Sequence, residues 1–301
     1  MTRRGLLALC IGVLVSLAGA QKPALEIEDQ YFDSSGVKIR YIDVGQGEPV
    51  VLIHAFGATL DLNWRRPGVV AALSKDYRVI AFDCRGHGQS DKPHDPASYG
   101  AHMAGDVVNL LDQLKISKAH LVGYSMGGDI VAQFVTLYPD RALTATIGGT
   151  SVAKSWTDEH ARENEEIASS LEQGGGLRLL IQRLMPPDEP PVPVANLERA
   201  SQELIRRNDP LALAAILRGY PARGITDDEL KAVRVPLLAI VGSADPNVRG
   251  VQALKLLLPD LQVVVIDKAT HVGPPRGAPA RPEFVAAVRA FIAAHPMRPS
   301  Q

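Results

Sequence analysis

Ala119-His120-Leu121-Val122-Gly123-Tyr124-Ser125-Met126-Gly127-Gly128-Asp129-Ile130 passes from an apolar run of strand length into a helical pattern that reaches residue 138. Gly123-Tyr124-Ser125-Met126-Gly127 lies at the junction. A Gly-x-Ser-x-Gly pentapeptide is weak on its own, and Ser125 would equally suit a helix N-cap. Between a strand and a helix it is the sequence of a sharp turn that lifts a serine hydroxyl above a sheet edge. The flanking glycines are the residues such a turn needs, because it leaves no room for side chains.

The pattern continues on both sides. Val50-Val51-Leu52-Ile53, Val79-Ile80-Ala81-Phe82, Leu237-Leu238-Ala239-Ile240-Val241 and Val263-Val264-Val265-Ile266 are continuous apolar runs. Strands apolar on both faces belong to a sheet covered by helices on both sides. Residues 37–44 alternate instead, which predicts a half-exposed strand. Amphipathic helical segments fall at 104–114, 129–138, 251–258 and 284–294. This β-α-β-α order predicts an α/β fold with a doubly wound, mostly parallel sheet.

One region breaks the alternation. Residues 152–233 carry no convincing strand, and five prolines in 186–193 exclude helix there. Asn208-Asp209-Pro210 reads as a helix start, with Asp209 as N-cap. Leu197, Ala200 and Leu204 share a helix face expected to pack on the main domain. The expected organisation is a core of residues 21–151 and 234–301, with 152–233 inserted as a helical cap or lid.

A serine hydroxyl is a weak nucleophile and needs a base and an orienting acid. Asp245 follows the apolar run at 237–241, and His271 follows the run at 263–266. Ser125, Asp245 and His271 therefore fall at three strand ends along one edge of a parallel sheet, where ligands bind in open α/β folds. Near the intervening strand end, Gly148-Gly149-Thr150, the local sequence offers no carboxylate as a rival acid. The three residues are the candidate catalytic set.

Composition bounds the rest. The chain has 301 residues, 46% hydrophobic and 22% charged, as a globular protein does. Its formal net charge of −1, without basic tracts, gives no footprint for nucleic acid. Arg3 and Arg4 precede an apolar run at 6–18, followed by Ala18-Gly19-Ala20. That order predicts a secretory signal peptide over residues 1–20, and hence a periplasmic or secreted protein. No later segment reaches membrane-spanning length. Cys10 lies within the signal, so Cys84 alone would remain, and one thiol forms no internal disulfide. Cys84 is expected to be a packed, inert thiol. Neither the cysteines nor the eight histidines show metal-ligand spacing, so no metal or cofactor is expected. Oligomeric state is not legible.

The motifs together resemble the α/β-hydrolase fold family, over most of the chain. His54-Ala55-Phe56-Gly57 looks like that family's oxyanion loop, and Asp83-Cys84-Arg85-Gly86-His87-Gly88-Gln89-Ser90-Asp91 like its DxRGxGxSD turn. The resemblance implies that the N–H groups of Phe56 and Met126 form an oxyanion hole. It also implies an inserted helical cap. Ala55 departs from the glycine usual at the second loop position, and 273–279 is unusually stiff. Dehalogenases and epoxide hydrolases of this fold use Asp at the elbow, and Ser125 argues against both. Met126 also replaces the tryptophan with which dehalogenases bind halide. His87 is expected to be structural.

What the resemblance then implies is an esterase- or lipase-like serine hydrolase acting on a small-molecule acyl substrate. A cofactor-free perhydrolase of the haloperoxidase type, a carbon–carbon hydrolase, a peptidase, or a catalytically silent ligand binder are the alternatives. Trp156, Leu180, Leu184, Met185, Leu213, Ile216 and Leu217 could line an acyl cleft, but each suits the cap's own core. Glu163, Glu165 and Glu166 could hold an amine, and Arg206 and Arg207 an anion. A solvated helix face accounts for both clusters more simply.

Overall fold

The computed structural model describes residues 27–152, 158–219, 224–273 and 275–297. The expected signal peptide, Cys10 and Trp156 lie outside the described residues. In chain order the strands are β1 (Gln30–Ser34), β2 (Val37–Val44), β3 (Pro49–Ile53), β4 (Arg78–Phe82), β5 (Ala119–Tyr124), β6 (Ala142–Gly148), β7 (Leu237–Gly242) and β8 (Gln262–Ile266). The helices are α1 (Val69–Leu73), α2 (Ala101–Gln113), α3 (Met126–Leu137), α4 (Asp158–Glu172), α5 (Arg178–Arg183), α6 (Val194–Ile205), α7 (Pro210–Gly219), α8 (Asp227–Ala232), α9 (Val248–Leu257) and α10 (Pro282–Ala293).

The strands form one eight-stranded sheet in the order β1-β2-β4-β3-β5-β6-β7-β8. β2 pairs antiparallel with β1 and β4, and every other neighbouring pair is parallel. This is the expected doubly wound, mostly parallel architecture. Its central strands β3, β5 and β7 are buried along their whole length, as their uninterrupted apolar sequences require. Apolar clusters lie on both faces. One gathers Val51, Leu121 and Phe134, and the other Leu52, Val122 and Phe284.

Three sequence expectations need correction. β8 is not buried on both faces: it is an edge strand, and Val265 is 46% exposed. β2 is not half-exposed at its centre, because the polar member of its alternation, Arg40, is itself buried. The Arg40 guanidinium reaches Asp29 at 2.6 Å, Asp61 at 2.8 Å and Asp83 at 3.1 Å, so three carboxylates replace water. The third concerns α6, whose main partner is α5 within the same inserted region, not the sheet domain.

Between β6 and β7 the described chain forms only helices, α4 to α8. The proline-rich 186–193 is the non-helical connector between α5 and α6. α7 starts at Pro210, and Asp209 caps it by accepting from Leu211 N–H at 2.9 Å and Ala212 N–H at 3.2 Å. α4 packs along α7, and α7 carries a buried run from Ala212 to Leu217. Among the described residues, no helix is long and apolar enough to cross a membrane.

Candidate active site

The parallel register aligns the carboxyl ends of the central strands, with Tyr124 opposite Gly148, Gly148 opposite Ile240 and Gly242 opposite Ile266. Chain leaving these ends must turn within a few residues of its neighbours. Ser125 follows β5 directly and takes a positive φ of 53° with ψ −119° before α3 begins. A non-glycine residue held there is strained, and such strain collects at functional sites. The turn closes by Ser125 N–H donating to Gly148 O at 2.7 Å. Gly127 permits it: a Cβ there would stand 2.0 Å from the Ile53 carbonyl oxygen.

The turns after β7 and β8 are laced together. Ser243 N–H donates to Ile266 O at 2.9 Å, and Ala244 N–H donates to Ala269 O at 3.0 Å. Gly242 allows that approach, since a Cβ would lie 2.1 Å from Ala269 O. The lacing carries Asp245 and His271 together, both buried. His271 Nδ1 lies 2.8 Å from Asp245 Oδ2, and His271 Nε2 lies 3.0 Å from Ser125 Oγ. A carboxylate accepts only, so Nδ1 carries the proton it shares with Asp245, leaving Nε2 to accept from the Ser125 hydroxyl. The three candidate catalytic residues thus form one hydrogen-bonded chain.

The loop after β3 is pinned on several sides. Ala55 N–H donates to Asn63 Oδ1 at 2.9 Å, and Gly57 N–H donates to His87 Nε2 at 3.0 Å. Asn208, between α6 and α7, donates its side-chain amide to Gly57 O at 3.0 Å. Between these contacts, the Phe56 N–H has no acceptor among the described residues. Met126 opens α3, where a backbone N–H has no intrahelical acceptor. Both residues line the same cavity as Ser125.

His87 is a buried strut under this loop. Its Nδ1 faces Arg85 O at 3.2 Å, and its ring meets the Phe56 ring edge-on at 5.8 Å between centroids. Burial pushes its imidazole well below the ordinary histidine range, so it stays neutral and accepts from Gly57. His54 behaves alike, accepting Cys84 N–H at Nε2 at 2.9 Å, with burial pushing its imidazole down. Burial pushes the Cys84 thiol well up, which makes it unreactive.

A cavity of about 550 Å³ opens over Ser125 and His271. Leu180, Leu184, Ile216 and Leu217 from the inserted helices line it, together with Phe56 and Met126. Leu213, in contrast, is buried core, and Met185 packs against that core. Glu163 also lines the cavity and pairs with Arg183 at 2.7 Å, whereas Glu165 pairs outside it with Arg218 at 2.8 Å. Arg206 and Arg207 both pair with Glu203 on an exposed face. Among the described residues, no cluster of His, Cys, Asp or Glu is disposed to hold a metal ion.

Several site residues were not legible in the sequence. The strand end at 148–150 does have a carboxylate beside it: Asp129 on α3 accepts from Thr150 Oγ1 at 2.7 Å and lines the cavity. In sequence it stands four residues beyond Ser125 and nineteen before Gly148, and only the first turn of α3 brings it to the end of β6. Asp245, however, is the carboxylate bonded to His271. Tyr124, inside the pentapeptide, donates its hydroxyl to His271 O at 2.8 Å and packs its ring 5.4 Å from the imidazole. Asn247 contacts both Gly149 and His271, and nothing in the local pattern marks it.

Residues 48–176 match the family model described as alpha/beta hydrolase fold. A putative non-heme chloroperoxidase from Synechocystis is 30% identical over 230 residues, covering 71% of this chain and 79% of that protein. The dihydrolipoyllysine-residue acetyltransferase component of an acetoin cleaving system from Cupriavidus necator is 36% identical over 159 residues, 49% of this chain and 41% of that protein. Across four such curated relatives the chain spans between 36% and 65% of their length. Among solved structures, a thermophilic esterase from Thermogutta terrifontis superposes with a TM-score of 0.73 at 24% identity, covering 90% of this chain and all of that one. The sheet order, the serine turn and these matches agree: the chain belongs to the α/β-hydrolase fold family.

Proposed function

We propose that the protein is an exported serine hydrolase that cleaves a carboxylic ester through an acyl-enzyme. One observation carries this reading: the continuous chain from Ser125 Oγ through His271 to Asp245, at 3.0 and 2.8 Å, opening into a cavity. His271 Nε2 takes the hydroxyl proton as Ser125 Oγ attacks the ester carbonyl. Asp245 holds the imidazole in the required tautomer and balances the imidazolium that forms. The Phe56 and Met126 N–H groups donate to the oxyanion. His271 returns the proton to the leaving alcohol, then activates water to cleave the acyl-enzyme. Export rests on the pattern of residues 1–20.

The cavity suits a small or medium acyl group under an apolar roof. Turnover of p-nitrophenyl esters of increasing chain length, against amino-acid p-nitroanilides, tests the reading. Ester turnover that dies with Ser125→Ala supports it, and anilide cleavage alone would replace it with a peptidase. The chloroperoxidase name of one relative favours a second reading, in which hydrogen peroxide attacks the same acyl-enzyme and releases a peracid. Peracid formation from an acetyl ester and peroxide, outrunning hydrolysis, would establish it.

A further inference from the structure

Asn247 follows Asp245 by two residues and sits between the ends of β6 and β7. Its backbone N–H donates to Asp245 Oδ1 at 2.8 Å, so the acid's second oxygen is held while Oδ2 faces His271. Its side-chain Nδ2 donates to Gly149 O at 3.1 Å. That contact fixes the carboxamide's orientation, because the opposite flip would set two acceptor oxygens together. The same Nδ2 stands 3.4 Å from His271 Nδ1. Since Nδ1 carries the proton shared with Asp245, the contact sets an N–H edge beside an N–H, not a donor beside a lone pair.

We infer that Asn247 is a positioning residue: it ties the Asp245 turn to the end of β6 and, with its NH2 edge on Nδ1, favours the neutral imidazole of His271. This rests on the serine-hydrolase reading of the same site. The positive edge of an amide raises the cost of the positive charge that a second proton would place on the ring. Asp245 acts in the opposite direction. The other groups around the ring are Ser125 and Tyr124, while Asp129, Glu159, Glu163 and Arg183 line the shared cavity. None of these takes the position of Asn247 against Nδ1.

The rate of fluorophosphonate labelling of Ser125 against pH reads the base directly and needs no known substrate. Asn247→Asp replaces the NH2 edge with a carboxylate, and its acid limb should move up by about one pH unit, or about tenfold slower labelling on the limb. Asn247→Ala removes the edge without adding charge. Its limb should move up less, with a lower plateau from the loosened Asp245 turn. Labelling at the wild-type midpoint in both variants, or a shift downward, overturns the inference. If Asn247→Asp fails to fold, the direction of the Ala shift decides. Wild-type protein that labels at no pH would instead defeat the serine-hydrolase reading itself.

Discussion

The reach of each side chain follows from one constraint, that a parallel sheet ends its strands along a single edge. Ser125 pays for its position in backbone strain, at φ 53°, and the bond from its N–H to Gly148 O holds it there. Ser125→Ala should abolish ester turnover and leave the thermal midpoint unchanged or raised, because the serine side chain supports no core contact. Asp245→Asn should cost about 10⁴ in kcat by favouring the wrong imidazole tautomer. A variant within tenfold of wild type in a p-nitrophenyl ester assay would remove that residue from the mechanism. At this scale the sequence was most informative, since an attacking hydroxyl, a base and an acid each need a particular residue type. It was silent on Asn247 and Tyr124, whose contributions depend on direction: one orients a carboxamide, the other caps a backbone carbonyl. Asp129 is distant from the end of β6 along the chain and reaches it only through the fold of α3.

Elements succeed or fail by what covers them. The apolar runs at β3, β5 and β7 became buried strands because both faces were apolar. β8 has the same composition but ends the sheet, and no periodicity distinguishes an edge strand from a central one. Arg40 is the converse case: its charge predicts exposure, but three carboxylates distant in sequence stabilise it in a buried position. The turn into α3 depends on Gly127. Gly127→Ala would force a methyl group to 2.0 Å from the Ile53 carbonyl, and we expect a loss of about 3 kcal/mol with activity falling in parallel. Denaturant melts measure it, and a neutral result would contradict the close approach. The helix α8 offers a contrast. Thr226 caps it by accepting Glu229 N–H at 3.2 Å, while Glu229 accepts Thr226 N–H at 2.9 Å. Thr226→Ala should cost about 1 kcal/mol and leave turnover unchanged, because α8 lies away from the cavity lining.

The whole molecule couples stability to pH through histidines it buries neutral. Burial pushes the imidazoles of His54, His87 and His120 below their ordinary value. In the unfolded chain each titrates near about 6.5. Below that pH the unfolded chain binds protons that the folded protein refuses. Their contribution is therefore fully present above about pH 6.5 and is lost as pH falls toward the lowered folded values. Each group adds at most about 1.4 kcal/mol per pH unit, so urea midpoints should drop clearly between about pH 7 and about pH 5.5. Equal midpoints would mean that these rings protonate freely in the fold. The same burial serves the site, because neutral His54 and His87 both accept backbone N–H groups around the loop that carries Phe56.

The proposed chemistry depends on Ser125 being an activated nucleophile, a property that covalent capture reads without a known substrate. Intact-mass spectrometry after fluorophosphonate treatment, at neutral pH, should show a single adduct on the wild-type protein and none on Ser125→Ala. An unmodified wild-type mass, from protein whose melting curve shows it folded, would rule out an activated Ser125 and leave a hydrolase fold that binds its ligand without turning it over.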